Sequence, residues 1–232
     1  MKHFFTSMLF IKLRMFGRSI GINKFLRPLI DVKGYQANFD QIMINSLQKE
    51  DVFWDVGSNQ GEIVKKAKSF LGDDIYCIAF EPHPILSANL KKLDFEKYQI
   101  INAALSNNVG DAEFTYGSDP LQTTGRLNTE LSNTKKTKVK VIDMQYALKV
   151  LNLKCPNVMK IDVEGHEYEV LNSILSNIGE LKNLRAIFVE IHMSVLDKRK
   201  LTFEMNKLIA KFEIETNFKL NWIDVSHFTL ER

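Results

Sequence analysis

Asp51-Val52-Phe53-Trp54-Asp55-Val56-Gly57-Ser58-Asn59-Gln60-Gly61-Glu62 reads as a buried strand that runs straight into a glycine turn and then a helix. The strand is apolar on both of its faces except at Asp55, the pattern of a parallel strand covered by helices above and below. Gly57 lets the chain turn sharply and approach a ligand closely, and Gly61 removes side-chain bulk where helix meets sheet. A ligand is therefore expected over the carboxyl edge of the sheet. The spacing is GxxxG, without the third glycine of a dinucleotide fingerprint and without the Lys-Ser/Thr of a P-loop, which disfavours a phosphate-bearing cofactor.

Charge refines that reading. Asp55, two residues before Gly57, would repel a phosphate dianion but can pair with the amino group of a methionine moiety. Twenty residues after Gly61, Ala79-Phe80-Glu81-Pro82 places an acid at the end of a second apolar strand, where it can accept hydrogen bonds from ribose hydroxyls. Pro82 and Pro84 then set the exit toward the next helix. Glycine turn and strand-end acid together indicate a nucleoside-type cofactor with an amino-acid end.

Outward from these two strands the chain alternates apolar runs with segments of helical periodicity. Strands are expected at 51–56, 74–80, 98–104, 157–163 and 186–191, and helices near 60–71, 84–93, 166–179 and 201–214. This is the rhythm of βαβ units around a mainly parallel sheet. Residues 111–116 and 138–142 alternate with period two and predict an inserted antiparallel pair, joined by a long polar connection from Gly117 to Lys136. Residues 217–223 and 226–230 predict a closing hairpin. Residues 1–45 are expected to form an N-terminal helical segment, amphipathic over its first thirty residues, a lid or packing arm with a membrane-surface role as the alternative, and residues 46–232 the main domain.

Composition suits one α/β core: 232 residues, 45% hydrophobic and 25% charged. A net charge of +3 lacks the basic stripe of a nucleic-acid binder. The runs Lys135-Lys136-Thr137-Lys138 and Lys198-Arg199-Lys200 read as solvated turns or helix faces. Cys77 and Cys155 have no metal-ligand spacing and read as buried thiols of a reducing compartment. No apolar run approaches a membrane span and no secretory signal is readable, so cytoplasmic residence with at most peripheral membrane contact through residues 1–30 is expected. Oligomeric state is not encoded in any readable way.

The fourth strand ends in Lys160-Ile161-Asp162-Val163-Glu164-Gly165-His166-Glu167, which gathers three candidates for a general base, Asp162, Glu164 and His166, in one strand-to-helix turn. His166 alone titrates near neutrality. The bland reading pairs Glu164 with Lys160, sets Glu167 in the first helical turn for its dipole and makes His166 a cap. Glu190 and His192 end the fifth strand on one face and can meet the Asp162 turn. Carboxylates and imidazoles converging there could hold a divalent metal, although no spacing is diagnostic and no metal is expected.

These motifs resemble the FkbM family of S-adenosylmethionine-dependent methyltransferases. Residues 55–61 are similar to its first motif, Phe80-Glu81-Pro82 to its second, Asn102-Ala103-Ala104-Leu105-Ser106 to its third and residues 160–167 to its fourth. Val141-Ile142-Asp143 stands where the family has Thr-Leu-Asp, and Val141 departs from it. The resemblance implies a Rossmann-like class I methyltransferase sheet, seven-stranded with an antiparallel last strand, and methylation of hydroxyls on sugars, glycans or natural products. It further implies that Gly57, Ser58, Asn59 and Gly61 form the methionine end, with Asp55 holding the ammonium directly or through water. Glu81 and Pro82 would lie at the ribose, the Asn102–Ala103 turn near the adenine, and Asp162 before the sulfonium and the acceptor. The competing class is a noncatalytic nucleoside-binding or scaffold protein of the same fold. A nicotinamide dehydrogenase conflicts with the glycine spacing, and no aromatic-basic motif supports RNA as acceptor.

Overall fold

The computed structural model describes residues 32–117, 125–127 and 134–232, with side chains from residue 38. The lid, arm or membrane-surface role read for residues 1–30 lies outside the described residues, as does most of the polar connection.

Helix α1 (Val32–Ser46) leads into β1 (Val52–Val56), α2 (Glu62–Leu71), β2 (Tyr76–Phe80), α3 (Pro84–Leu90) and β3 (Tyr98–Ile101). The insertion comprises β4 (Ala104–Leu105), β5 (Gly110–Gly117), β6 (Gly125–Leu127) and β7 (Thr134–Ile142). After it come α4 (Met144–Lys149), β8 (Val158–Ile161), α5 (Glu167–Ser176), β9 (Ala186–Glu190), α6 (Met193–Lys198) and α7 (Thr202–Glu215), then the hairpin β10 (Lys219–Trp222) and β11 (His227–Glu231).

The main sheet has seven strands in the order β10-β11-β9-β8-β1-β2-β3. From β3 to β9 all neighbours are parallel, and the last strand of the chain, β11, runs antiparallel between β9 and β10. Strand order reverses between β1 and β8, which opens a crevice at their carboxyl ends. Strands β1, β2, β8 and β9 of this sheet are apolar on both faces apart from Asp55, Lys160 and Glu190, because both faces are covered. Trp54, Val56, Ile78, Phe80, Met159 and Ile161 pack under α4, α5 and α7. Phe53, Cys77, Val158 and Phe188 pack on the other face under Phe39 and Met43 of α1 and Val64 and Ala67 of α2. Strand alternation then puts Asp55 on the Phe53 face and Lys160 on the Val158 face, so both ionisable groups lie on the α1–α2 side near the carboxyl edge.

One expected strand is two. The run 98–104 stays in the main sheet only as far as Ile101; Asn102 then donates through Nδ2 to the carbonyls of Glu81 (2.9 Å) and Pro82 (3.1 Å). Ala104 and Leu105 leave to pair in parallel with Val141 and Ile142 in a second sheet of order β4-β7-β5-β6. The inserted antiparallel pair is present and longer than its alternation indicated, with register running from Gly110↔Val141 to Gly117↔Thr134. Lys135–Lys138 accordingly lies on a strand, with Lys136 paired to Glu113, rather than on a turn or helix. Cys155 is only half-buried, unlike Cys77. Among the described residues no helix is long and apolar enough to cross a membrane.

Candidate active site

The site grows from the turn after β1. Gly57 has a φ of +84°, and a Cβ on it would lie 1.9 Å from the carbonyl oxygen of Asp162. Its N–H and that of Ser58 both donate to the carbonyl of Phe80 at 3.0 Å, which ties the turn to β2. Ser58 is buried, and its hydroxyl donates to the Asp55 carbonyl at 2.9 Å. Gly61 caps α2, with a φ of +74°, and a Cβ there would sit 2.6 Å from Leu90 Cδ2. The bulk it removes therefore lies between helices α2 and α3, not between helix and sheet.

Glu81, at the end of β2, is buried, and each carboxylate oxygen accepts one backbone N–H: Oε2 from Asn59 at 2.7 Å and Oε1 from His83 at 2.8 Å. Burial raises its pKa to about 7 against the opposing pull of those two donors. The acid is thereby clamped across the crevice with further lone pairs available to hydroxyl donors. His83 caps α3 through Nδ1 and meets Tyr116 of β5 edge-on at 4.3 Å, so the insertion is anchored beside Glu81.

A pocket opens here, walled on its apolar side by Ala103, Leu105, Phe114 and Leu127 and on its polar side by Glu81 and Asp162. Of the residues expected at a cofactor, Gly57, Asn59, Glu81, Pro82, Ala103 and Asp162 line it. Asp55, Ser58, Gly61 and Asn102, also expected there, do not line it. Asp55 is fully buried beneath the turn, neither of its oxygens accepts a hydrogen bond, and Lys160 Nζ lies 3.6 Å away. Burial raises the Asp55 pKa despite Lys160. Lys160 itself is buried, yet the attraction of Asp162 (3.2 Å) and Asp55 outweighs its desolvation and raises its pKa. It is the counter-ion of these two acids, and Glu164 pairs instead with Arg126 of β6 at 3.2 Å. The pairing of Glu164 with Lys160 is thus not formed, because alternation along β8 turns Lys160 toward Asp55.

The β8–α5 turn is left-handed at Glu164 (φ +54°) and Gly165 (φ +103°). Two histidines flank it. His166 lines the pocket, with Nε2 2.9 Å from Ser106 Oγ and Nδ1 3.4 Å from Glu169 Oε2. It occupies the N-cap position of α5 but makes no capping bond, since both ring nitrogens face these side chains. Burial lowers its pKa, more than Glu169 raises it. His192 follows β9; its Nδ1 is 2.8 Å from Glu167 Oε1, and ligand atoms of Asp162, Glu190 and His192 lie within 4.8 Å of one another. That donor set could take a cation, but Lys160 already stands against Asp162. Burial lowers the His192 pKa, and the bond to Glu167 with the charges of Glu167, Glu164 and Asp162 outweighs it, raising the pKa to about 9.

Sequence reading missed three participants. Glu167 is fully buried and holds His192, whereas its place in the first helical turn points only to the dipole. Phe114 comes from a period-two run, which signals a sheet but not the side of the domain on which it folds, and Arg126 from β6, within the stretch that reads as a polar connection. The Val-Ile-Asp run offered a partial hint, because Ile142 carries the insertion back to β4 beside Ala103.

A glycine turn and a strand-end acid at the switch point of a mainly parallel sheet with an antiparallel last strand define a class I methyltransferase fold. The methyltransferase FkbM domain matches residues 55–219, and the chain belongs to that family. The hexuronic acid methyltransferase AglP of Haloferax volcanii is 31% identical over 199 residues, covering 82% of this chain and 74% of that protein. Among solved structures, a proposed rRNA methylase from Clostridium thermocellum superposes with a TM-score of 0.50 at 9% identity, over 85% of this chain and 94% of that one. The precorrin-6y C5,15-methyltransferase of Geobacter metallireducens gives a TM-score of 0.46 at 13% identity, over 83% and 87%.

Proposed function

We propose that this methyltransferase uses S-adenosylmethionine to methylate an oxygen of a uronic-acid-containing sugar or glycan. The observation that carries the reading is the divided crevice: an apolar pocket with Glu81 and Asp162 on its polar wall, adjoining a cluster of carboxylates and imidazoles at the ends of β8 and β9. The first suits a nucleoside joined to an amino acid, and the second suits a polyhydroxylated acceptor. The hexuronic acid relative supports an acidic sugar, and Arg126, paired with the pocket-lining Glu164, is a cation for which an acceptor carboxylate can compete in bidentate fashion.

When bound, the donor supplies a methyl group on a sulfonium, so the protein's share is orientation and proton removal. Glu81 accepts from the ribose hydroxyls while Asn59 and His83 hold it in place. Ala103, Leu105 and Phe114 enclose the base and exclude water. Asp162, with Lys160 behind it, sets a negative wall at the ammonium and sulfonium end, and Asp55 keeps Lys160 charged and fixed.

Calorimetry with S-adenosylhomocysteine tests the donor half: wild type binds, and Glu81→Gln weakens binding roughly 10- to 100-fold, as expected for lost hydrogen bonds to a charged group. Transfer of labelled methyl to p-nitrophenyl β-D-glucuronide but not to the matching glucoside tests the acceptor half. A well-folded protein that does not bind S-adenosylhomocysteine would remove the proposal.

A further inference from the structure

The two histidines flanking the β8–α5 turn face different parts of the crevice. His166 leans toward the insertion, where Ser106, which holds its Nε2, directly follows Leu105 of the apolar pocket wall. His192 stands with Asp162 and Glu190 at the ends of β8 and β9 and is not among the residues that line the pocket. A donor in that pocket would have Asp162 and Glu164 on its wall, and through them the His192 cluster at the ends of β8 and β9 beside it.

There the His192 ring is oriented by a clamped acid. Glu167 is fully buried, and its Oε1 accepts both the Gly165 N–H (2.8 Å) and the His192 ring (2.8 Å). An ionised carboxylate only accepts, so Nδ1 carries a proton held by Glu167, and Nε2, 3.5 Å from Oε2 of the pocket-lining Glu164, is the nitrogen whose proton the ring gives up to become a base. A carboxylate that orients one ring nitrogen while the other faces the reacting group is the arrangement of an activated general base.

Building on the function proposed above, we infer that His192 takes the acceptor's proton, that Glu167 is its positioning residue, and that His166 belongs to the donor side. In the step, the acceptor oxygen forms a bond to the methyl carbon and the carbon–sulfur bond breaks with its electron pair passing to sulfur. The hydroxyl proton moves to His192 Nε2 and leaves to solvent after the product departs. A neutral alcohol, a sulfonium and a neutral imidazole become an ether, a thioether and an imidazolium, so charge and atoms balance.

The groups facing His192 are Asp162 and Glu164 from the β8 turn, Glu167 from α5 and Glu190 from β9, with Lys160 and His227 behind them. Their net negative charge keeps the ring protonated up to about pH 9 in the unliganded enzyme. The base form therefore increases about tenfold per pH unit below that point, and kcat/KM rises in parallel before levelling.

The experiment compares wild type, His192→Asn and Glu167→Gln in methylating p-nitrophenyl β-D-glucuronide, with S-adenosylhomocysteine calorimetry and melting curves as controls. His192→Asn is expected to lose roughly 10²- to 10⁴-fold in kcat while binding S-adenosylhomocysteine within about twofold of wild type. Glu167→Gln, nearly isosteric, is expected to move the rising limb of the pH profile from about 9 toward the ordinary imidazole value. Retention of kcat by His192→Asn within about threefold, an unmoved limb in Glu167→Gln, or wild-type activity lost to a chelator and restored by Mg²⁺ would each overturn the assignment. If wild type binds S-adenosylhomocysteine but methylates no uronide, the acceptor reading fails by itself. In that case ¹⁵N NMR of the neutral His192 ring decides: a proton on Nδ1 upholds the arrangement and a proton on Nε2 overturns it.

Discussion

At Gly57 a side chain meets two obstacles at once. A non-glycine residue held in the left-handed region loses ~1–2 kcal/mol, and its Cβ would strike a backbone carbonyl, Asp162 O at 1.9 Å, which cannot swing away. Gly57→Ala should therefore cost more than ~3 kcal/mol in urea unfolding and abolish S-adenosylhomocysteine binding. At Gly61 the obstacle is the tip of a flexible leucine, so Gly61→Ala should cost only ~1–2 kcal/mol and keep binding measurable. Both glycines were readable from spacing, because a tight turn leaves a sequence mark. Glu167 was not: a glutamate in the first turn of a helix looks the same whether it faces solvent or a buried imidazole, and its partner stands twenty-five residues away.

Elements appear in sequence through periodicity, and their partners do not. The apolar run through Ile100, Ile101, Ala103, Ala104 and Leu105 gave no sign that it changes sheets at Asn102, since both sheets reward the same apolar residues. Only the availability of β7 as a neighbour decides it. Helix α1 illustrates the energetic side. Phe39 is fully buried, edge-on to Phe188 at 5.9 Å and 4.4 Å from the His227 ring, so Phe39→Ala should lose ~3–5 kcal/mol of stability by chemical denaturation. Arg126 of β6 behaves differently. Its pair with Glu164 is about one-quarter exposed on each side, so Arg126→Ala should change stability by less than ~1 kcal/mol. Its effect is expected in KM for the glucuronide, with S-adenosylhomocysteine affinity unchanged.

Across the whole molecule a row of ionisable groups crosses the carboxyl edge of the sheet, from Asp55 through Lys160, Asp162 and Glu190 to His227 and Asp224. Burial lowers the pKa of His227, but hydrogen bonds and charge from Asp224 and Glu190 outweigh it and raise the value to about 9, as Glu167 and its neighbours do for His192. Groups with folded pKa values above 6.5 hold protons the unfolded chain has released, so their stabilisation is complete below about pH 6.5 and is lost as pH rises through about 9. The buried acid Glu81, raised to about 7, acts in the same sense at lower pH. The urea midpoint should accordingly be higher at pH 6.5 than at pH 9.5, with His227→Gln reducing the difference; equal midpoints would contradict the charge row. The parallel sheet, the glycine turn and the strand-end acids are legible in the chain alone, because each is written in residues that are neighbours along it. Which acid pairs with Lys160, on which side of the crevice each histidine stands and where the insertion closes the pocket were decided only by tertiary structure. Those relations join β1 to β8, β9 to α5 and β6 to the β8 turn, segments that folding alone brings within hydrogen-bonding distance.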